Sequence, residues 1–191
     1  MGTHYSVLLQ ETLSYLNIKK DGIYADLTLG RGGTSSEILK RIPEGHLYAF
    51  DRDQEAIDDS IERLKAIGTN FTIIHDNFAS FKDDLLERGV PKLDGIVADL
   101  GVSSPQFDEG ERGFSYKVDA PLDMRMDLRS QKSAKSIVNT YSFEDLARIF
   151  RLYGEDPDSA KVASLIVKER EKKPIETTFE LVEIIKRAKP M

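Results

Sequence analysis

Short apolar runs alternate with amphipathic patterns along the first hundred residues of the chain. The apolar runs, each of which predicts a strand, cover residues 22–27, 46–51, 71–76 and 93–101. Patterns of helical period lie between and after them at 34–42, 54–68 and 78–89. Strands that alternate with helices are typical of parallel βαβ units, in which helices cover both faces of the sheet. The pattern therefore predicts a doubly wound α/β fold for residues 1–104.

The pattern changes after residue 104. Residues 105–130 show neither strand nor helix period, and a loop of this length inside a compact domain is uncommon. Helical patterns follow near 133–140, 143–153, 157–172 and 178–188. Two of them begin with capping-box spacing, at Ser142–Asp145 and Thr177–Glu180. Residues 105–191 are therefore predicted to form an all-helical subdomain.

The fourth predicted strand lies at an edge of the sheet, since no strand pattern follows it. Proteins normally cover or interrupt an apolar edge strand. Three explanations stay open: the helical region covers the strand, a partner chain such as a second copy in a homodimer pairs with it, or the chain is a truncated form of a longer protein.

Composition and charge narrow the classes of function. The chain has no cysteine, which excludes disulfides, thiolate catalysis and zinc–thiolate sites and fits a reducing cytoplasm. Its three scattered histidines predict no metal site, and the lack of an apolar run of about 18 residues predicts no membrane span. Residues 1–104 carry 11 basic and 17 acidic side chains and residues 105–191 carry 16 of each. Any contact with RNA would therefore depend on local basic patches.

A glycine-rich turn follows the first predicted strand and contains Gly30, Gly32 and Gly33. Ser35 stands where a G-x-G-x-x-G motif has its third glycine, so a nucleotide-binding turn and a plain tight turn are both open. Asp26 ends the strand; its carboxylate would repel a pyrophosphate and attract a cationic group such as the α-ammonium of S-adenosylmethionine (SAM). A solvated strand-end carboxylate is the alternative. The N-cap of the next helix is predicted at Thr34 or Ser35.

The ends of the second and third strands carry candidate nucleoside contacts. Asp51 follows Gly30 by 21 positions, close to the spacing at which an acidic residue accepts hydrogen bonds from ribose hydroxyls. Asp76 or Asn77 could reach an adenine amine. Phe78 could stack on the adenine ring, or it could pack between helix and sheet.

The fourth strand ends in the segment "DLGVSSPQ", at the sheet edge where reacting groups are expected. The candidate catalytic residues there are Asp99, Ser103 and Ser104. Acceptors bound to the N–H groups of an exocyclic base amine would make it a better nucleophile and then take up its proton. A structural capped turn is the alternative.

A basic segment follows, with Arg125, Arg129, Lys132 and Lys135. These side chains are either a phosphate-binding patch or members of internal ion pairs with Asp123 and Asp127. The aromatic residues of "GFSY" (113–116) are candidates for base stacking.

Six segments of the sequence carry a resemblance to a known family: "HYSVLLQE", "GIYADLTLGRGGTS", "YAFDRDQEAI", "DGIVADLGVSSPQFDEGERGFSY", "DAPLDMRMD" and "KKPIETTFELVEIIK". Together they resemble the bacterial ribosomal RNA small-subunit methyltransferase H family, also called MraW. The resemblance implies a Rossmann-like class I SAM methyltransferase domain with a helical insert. It also implies transfer of a methyl group to the N4 amine of a cytidine in the decoding region of 16S rRNA, with the small ribosomal subunit as partner.

Matched by position, the resemblance implies cofactor contacts from Gly32, Gly33, Thr34, Asp51, Phe78, Asp99 and Gln106. Thr34 stands where the family usually has histidine, so a side-chain contact is expected to be lost while the backbone contact remains. Family members continue past the end of this chain and supply further strands. The resemblance thus implies an incomplete sheet and a C-terminal truncation.

Two other functions stay open. One is an NAD-type oxidoreductase with the same fold, against which Ser35 and Asp26 argue. The other is a non-catalytic fragment that binds RNA or the ribosome.

Overall fold

The computed structural model describes residues 8–102, 104–108 and 110–189 of the chain. The chain divides into two compact units, one extending to Gly101 and the other starting at Val102. In the first unit the elements are α1 (Leu9–Leu16), β1 (Ile23–Asp26), α2 (Gly33–Leu39), β2 (His46–Asp51), α3 (Gln54–Lys65), β3 (Phe71–His75), a 3-10 helix (Phe78–Ser80), α4 (Phe81–Glu87) and β4 (Gly95–Val97).

The four strands form one parallel sheet in the order β3-β2-β1-β4. Side chains of β1 alternate between its faces: Tyr24 belongs to the core that contains Leu13, Ile38 and Leu64 from α1, α2 and α3. Ala25 belongs to the core on the other face, which contains Leu85 of α4. Helices thus cover both faces, and the prediction of a parallel, doubly wound α/β sheet is confirmed.

The boundaries of some elements differ from the prediction. β4 covers Gly95–Val97 rather than 93–101, so Asp99 lies in the loop beyond the strand. β4 is one edge of the described sheet, and Ile96 on it keeps 45% of its surface exposed. The N-cap of α2 is Gly32 in a left-handed conformation, not Thr34 or Ser35, because the Ser35 hydroxyl is bonded elsewhere.

In the second unit the described elements are α5 (Ser104–Asp108), a 3-10 helix (Gly110–Arg112), α6 (Ala134–Thr140), α7 (Phe143–Leu152), α8 (Ser159–Arg170) and α9 (Thr178–Ala188). Leu146, Val162, Ile166 and Ile184 lie at the centre of its core. Outside these helices, the described residues of this unit include one isolated antiparallel bridge, between Pro121 and Thr177.

The long segment before α6 is held against the helices. Leu122 is buried in the same core, and its N–H donates to the Glu176 carbonyl at 2.8 Å. The Ala120 N–H donates to the Thr178 hydroxyl oxygen, and the Ala120 carbonyl accepts from the Thr178 N–H. This part of the chain is therefore ordered by backbone hydrogen bonds and not by a strand or helix of its own.

Candidate functional site

The glycine turn continues β1 between its two neighbouring strands. Leu27 N–H donates to the Val97 carbonyl of β4 and Leu29 N–H to the Phe50 carbonyl of β2, both at 2.9 Å. The backbone then reverses at Gly30 (φ 50°) and Gly32 (φ 73°), conformations that L side chains rarely adopt. A Cβ on Gly32 would also lie 3.2 Å from Cβ of Ser60 on α3. Glycine at 32 is thus required by the fold as well as available for close approach of a ligand.

Asp26 lies beneath this turn and not at its surface. The residue is 1% exposed, and its carboxylate accepts hydrogen bonds from the Ser35 hydroxyl at 2.7 Å and from Thr28 N–H at 3.1 Å. Burial raises the pKa of the Asp26 carboxyl, and the negative charges of Asp51 and Asp99 raise it further. The predicted direct contact between Asp26 and a cationic group is not what this geometry supports, since the carboxylate is enclosed and anchors the start of α2 to the end of β1.

Asp51 holds the turn from the side of β2. One of its oxygens accepts from Gly30 N–H at 2.8 Å and the other from Asp53 N–H at 2.9 Å. An ionised carboxylate has about four lone-pair sites, so two backbone bonds leave acceptor capacity for two hydroxyl groups of a ligand. Gly30 and Asp51, which are 21 positions apart in the sequence, are therefore in direct contact.

Phe78 begins the 3-10 helix that follows β3 and keeps 38% of its surface exposed. Its position is set by Asn77, whose side-chain oxygen accepts from Ala79 N–H at 3.0 Å. Asp76 in turn accepts from Asn77 N–H at 2.6 Å. These contacts leave the aromatic ring partly in solvent, where a planar base could stack on it.

Asp99 is exposed in the loop after β4, and its backbone N–H donates to the Thr28 hydroxyl oxygen at 2.7 Å. The other predicted catalytic residues are Ser103 and Ser104. Ser103 lies outside the described residues, and of Ser104 the structure describes only the backbone, at the start of α5. Gln106 lies in α5 of the second unit and is buried.

The carboxyl edge of the sheet thus collects three carboxylates, Asp26, Asp51 and Asp99, close enough for the last two to raise the pKa of the first. An environment of this kind favours a ligand with positive charge and disfavours a pyrophosphate. The turn glycines, the acceptors of Asp51 and the exposed ring of Phe78 suit a nucleoside. Together, these groups suit a ligand that joins a nucleoside to a positively charged group.

Three of the four basic side chains of residues 122–135, Arg125, Arg129 and Lys135, form ion pairs within the second unit. Arg125 donates two hydrogen bonds to the Asp123 carboxylate, at 2.6 and 2.9 Å, and Arg129 does the same with Asp127, both at 2.9 Å. Lys135 is bound to Glu176 at 2.7 Å. Of the two interpretations of this segment, the structure supports ion pairs over an open phosphate patch.

The two aromatic residues of the segment 113–116 differ in their exposure to solvent. Phe114 is buried beneath the Arg112 guanidinium, 5.6 Å from the ring centroid, whereas Tyr116 is 74% exposed. Tyr116 alone of this pair has a surface on which a base could stack.

The described residues contain neither a metal-binding cluster nor a membrane-spanning helix. Across residues 8–102, 104–108 and 110–189, histidine, aspartate and glutamate side chains form no group that could hold a metal ion. No helix in these ranges is both long enough and apolar enough to cross a membrane.

Two hydroxyl groups organise this edge in roles that the sequence does not predict. Ser35, a predicted candidate for the helix cap, binds Asp26 instead, and Thr28 contacts the Asp99 backbone. A β-branched hydroxyl residue two positions after an acidic strand end is the available signal, but the 71-residue separation of Thr28 and Asp99 along the sequence hides the contact.

Comparison with known proteins gives one match over the whole chain to a family model, that of the MraW methylase family, over residues 1–191. The chain is 55% identical over 190 residues to the ribosomal RNA small subunit methyltransferase H of Exiguobacterium sibiricum. That alignment covers 100% of this chain and 61% of the relative, so the chain spans about three fifths of the relative's length.

Among solved structures, the chain is similar to a precorrin 8W decarboxylase of Methanobacterium thermoautotrophicum, with a TM-score of 0.43 and 23% identity over 51% of this chain and 50% of that one. It is also similar to an rRNA methylase of Streptococcus thermophilus, with a TM-score of 0.36 and 21% identity over 43% of this chain and 50% of that one.

Proposed function

This chain belongs to the MraW methylase family, and on that premise we propose that it carries the SAM-binding unit of an enzyme that methylates the N4 amine of a cytidine in 16S rRNA. The observation that carries the proposal within the molecule is the meeting of Asp51, the glycine turn and Asp99 at one edge of a parallel sheet. In open α/β sheets, ligands bind outside the carboxyl ends of the strands.

Each residue of the edge has a proposed task in holding the cofactor. Asp51 accepts from the ribose hydroxyls with the capacity that its two backbone bonds leave. Phe78 stacks on the adenine ring. The backbone of Gly32, Gly33 and Thr34 lines the turn, where glycine permits close approach. Asp26 acts indirectly, by fixing the turn through Ser35 and Thr28.

Gln106 is a further proposed contact to the cofactor, implied by the family match. Its amide has both a donor and an acceptor, so it can bind a carboxylate or an amine of the ligand. We include it on the family match and on its place in the chain, five positions after Gly101 in the segment that follows β4.

Asp99 is the proposed partner of the reacting amine. When bound, SAM supplies a methyl group activated by the positive sulfur. The lone pair of a cytosine N4 amine is delocalised into the ring, so a carboxylate that accepts a hydrogen bond from the amine favours the pyramidal form that attacks. The same carboxylate would take the proton that the nitrogen loses when the new N–C bond forms and the methyl–sulfur bond breaks. Ser103 and Ser104 are proposed as further acceptors.

The target base has to leave its stack for this reaction. The amine must meet the methyl group in line, which a base inside a helix cannot do, so the enzyme would act on a single-stranded or splayed-out cytidine. Most basic side chains of residues 122–135 are paired internally. We therefore propose that the protein recognises RNA mainly by its shape, with few charged contacts.

The direct test incubates the protein with isotopically labelled SAM and small ribosomal subunits that lack the modification, and then analyses the nucleosides of digested 16S rRNA by mass spectrometry. We expect labelled N4-methylcytidine in the wild type and a loss of at least about 100-fold with Asp99→Ala. The matched control is Asp94→Ala, which removes a carboxylate from the opposite end of β4, where Asp94 is paired with Lys19 at 2.8 Å.

Three results would count against the proposal. Label in another nucleoside or at another atom would refute the N4 assignment. Unchanged transfer by Asp99→Ala would remove Asp99 from the chemistry. Binding of the subunit without any transfer, and without any effect of SAM, would favour a non-catalytic RNA-binding protein.

A further inference from the structure

The Thr28 side chain joins the ends of two neighbouring strands. Its hydroxyl oxygen lies 2.7 Å from the backbone nitrogen of Asp99 and accepts that N–H. Thr28 follows β1 and Asp99 follows β4, and the two strands pair in parallel from Tyr24 with Gly95 to Asp26 with Val97. The contact therefore extends the β1–β4 pairing past its last backbone hydrogen bond, from Leu27 N–H to the Val97 carbonyl.

Thr28 is itself held firmly. On either side of it, Leu27 N–H donates to β4 and Leu29 N–H donates to β2, at 2.9 Å each. The Thr28 N–H donates to the buried Asp26 carboxylate at 3.1 Å. Threonine is also stiff at χ1 because its Cβ carries two heavy atoms. The hydroxyl oxygen is thus presented from a fixed backbone by a side chain with few rotamers.

Among the described residues, in contrast, few other contacts hold the Asp99 segment. β4 ends at Val97, two positions earlier. The next apolar side chain, Leu100, gives little packing, since it is 70% exposed. A loop that lacks buried apolar contacts opens locally at low cost, so a single hydrogen bond to its backbone has a large share in its position.

We propose that Thr28 is a positioning residue, whose hydroxyl holds the Asp99 backbone so that the Asp99 carboxylate points to the methyl acceptor. The inference rests on the proposed function, because it gives Thr28 its effect through the task of Asp99. A displacement of about 1 Å in a reacting group can cost about 100-fold in rate, so a hydrogen bond of ordinary strength has a larger effect on turnover than on folding.

Substitutions at Thr28 separate the hydroxyl from the shape of the side chain. Thr28→Val keeps the branched shape and removes the acceptor, whereas Thr28→Ser keeps the acceptor and removes the methyl group. Thr28→Ala is a second variant without acceptor, for use if valine impairs folding. The matched control is Thr72→Val, which removes a hydroxyl bonded to Nε2 of His46 at 2.9 Å. His46 begins β2, so this bond lies toward the amino ends of the strands.

The first readout is hydrogen exchange of the Asp99 amide, followed by NMR without cofactor or RNA. We expect exchange to be about 2- to 10-fold faster in Thr28→Val, as loss of one hydrogen bond implies, with protection restored in Thr28→Ser and unchanged in Thr72→Val. Equal exchange in the wild type and in both Thr28→Val and Thr28→Ala would overturn the proposal, since the contact would then hold nothing.

The second readout is a double-mutant cycle in the methyl-transfer assay. We expect Thr28→Val to lower kcat about tenfold in the wild type and less than about twofold in the Asp99→Ala background, because the carboxylate to be positioned is then absent. A merely structural role would give the same loss in both backgrounds and would overturn the proposal. A wild type without methyl transfer would refute the proposed function instead, and the exchange measurement would still report on the contact.

Discussion

At the scale of single residues, the carboxylate of Asp26 is a structural part of the candidate site. It is enclosed under the glycine turn, with its oxygens bonded to Ser35 and Thr28. Asp51 and Asp99 stand at the ends of the neighbouring strands and keep exposed surface for a ligand. One carboxylate therefore shapes the edge of the sheet, and the two others are available for chemistry.

The buried Asp26 predicts a particular dependence of stability on pH. Burial raises the pKa of its carboxyl in the folded protein above the ordinary value of about 3.9. Between those two pKa values the folded state binds more protons than the unfolded state, so the contribution of Asp26 to stability falls as pH rises through this window. Asp26→Asn keeps a side-chain oxygen for Thr28 and cannot ionise.

We therefore expect the melting temperature of Asp26→Asn to rise relative to the wild type as pH increases from about 4 toward 7. Circular dichroism melts at a series of pH values measure this difference. Parallel curves for the two proteins, or a variant that loses relative stability with rising pH, would contradict the assignment of a raised pKa to Asp26.

Asp51 gives a prediction for binding. Asp51→Ala removes the acceptors proposed for the ribose and also the partner of Gly30 N–H. Hydrogen bonds to a charged group are stronger than neutral ones, so SAM affinity should fall about 10- to 100-fold in calorimetry. Asp58→Ala is the control, because Asp58 lies on α3 and is bonded to the Gln54 side chain. Unchanged affinity in Asp51→Ala would remove the ribose assignment.

At the scale of elements, helix starts follow local chemistry where no site interferes. Ser142 and Thr177 cap α7 and α9 as their spacing predicts, and Thr177 and Glu180 form a complete capping box. The Lys173 ammonium and the backbone N–H of Glu176 hold the pKa of Glu180 at about 2. The start of α2 differs because Ser35 serves Asp26 and because the turn requires Gly32 at a positive φ.

Loss of the α9 cap should destabilise the protein measurably. Thr177→Ala leaves the Glu180 N–H without its side-chain partner, and such caps contribute about 1 kcal/mol to the free energy of unfolding. Thr140→Ala is the matched control, since the Thr140 hydroxyl only donates back to the Ser136 carbonyl at the end of α6. Urea unfolding of both variants measures the difference, and equal stability would show that the box contributes nothing.

At the scale of the whole molecule, the alternation of apolar runs with helical patterns is sufficient to predict the parallel sheet with its helices. Local periodicity carries that information because each element buries one face. Contacts between distant residues, such as Thr28 with Asp99 or Asp26 with Ser35, depend on the register of the sheet and on burial, which no local pattern encodes. The site residues were therefore easier to name than to assign to a role.

The acidic surplus of the chain lies in residues 1–104, and part of it is gathered at the carboxyl edge of the sheet. That distribution favours a small cationic cofactor at the edge over a polyanion. It makes the choice between SAM and a dinucleotide the central question for this molecule.

A calorimetric titration of SAM into the protein, with NAD as the comparison ligand, tests this choice most directly. The account predicts saturable binding of SAM at a single site and no binding of NAD. Binding of NAD without binding of SAM would contradict it, because an edge with three carboxylates would then be accepting a pyrophosphate.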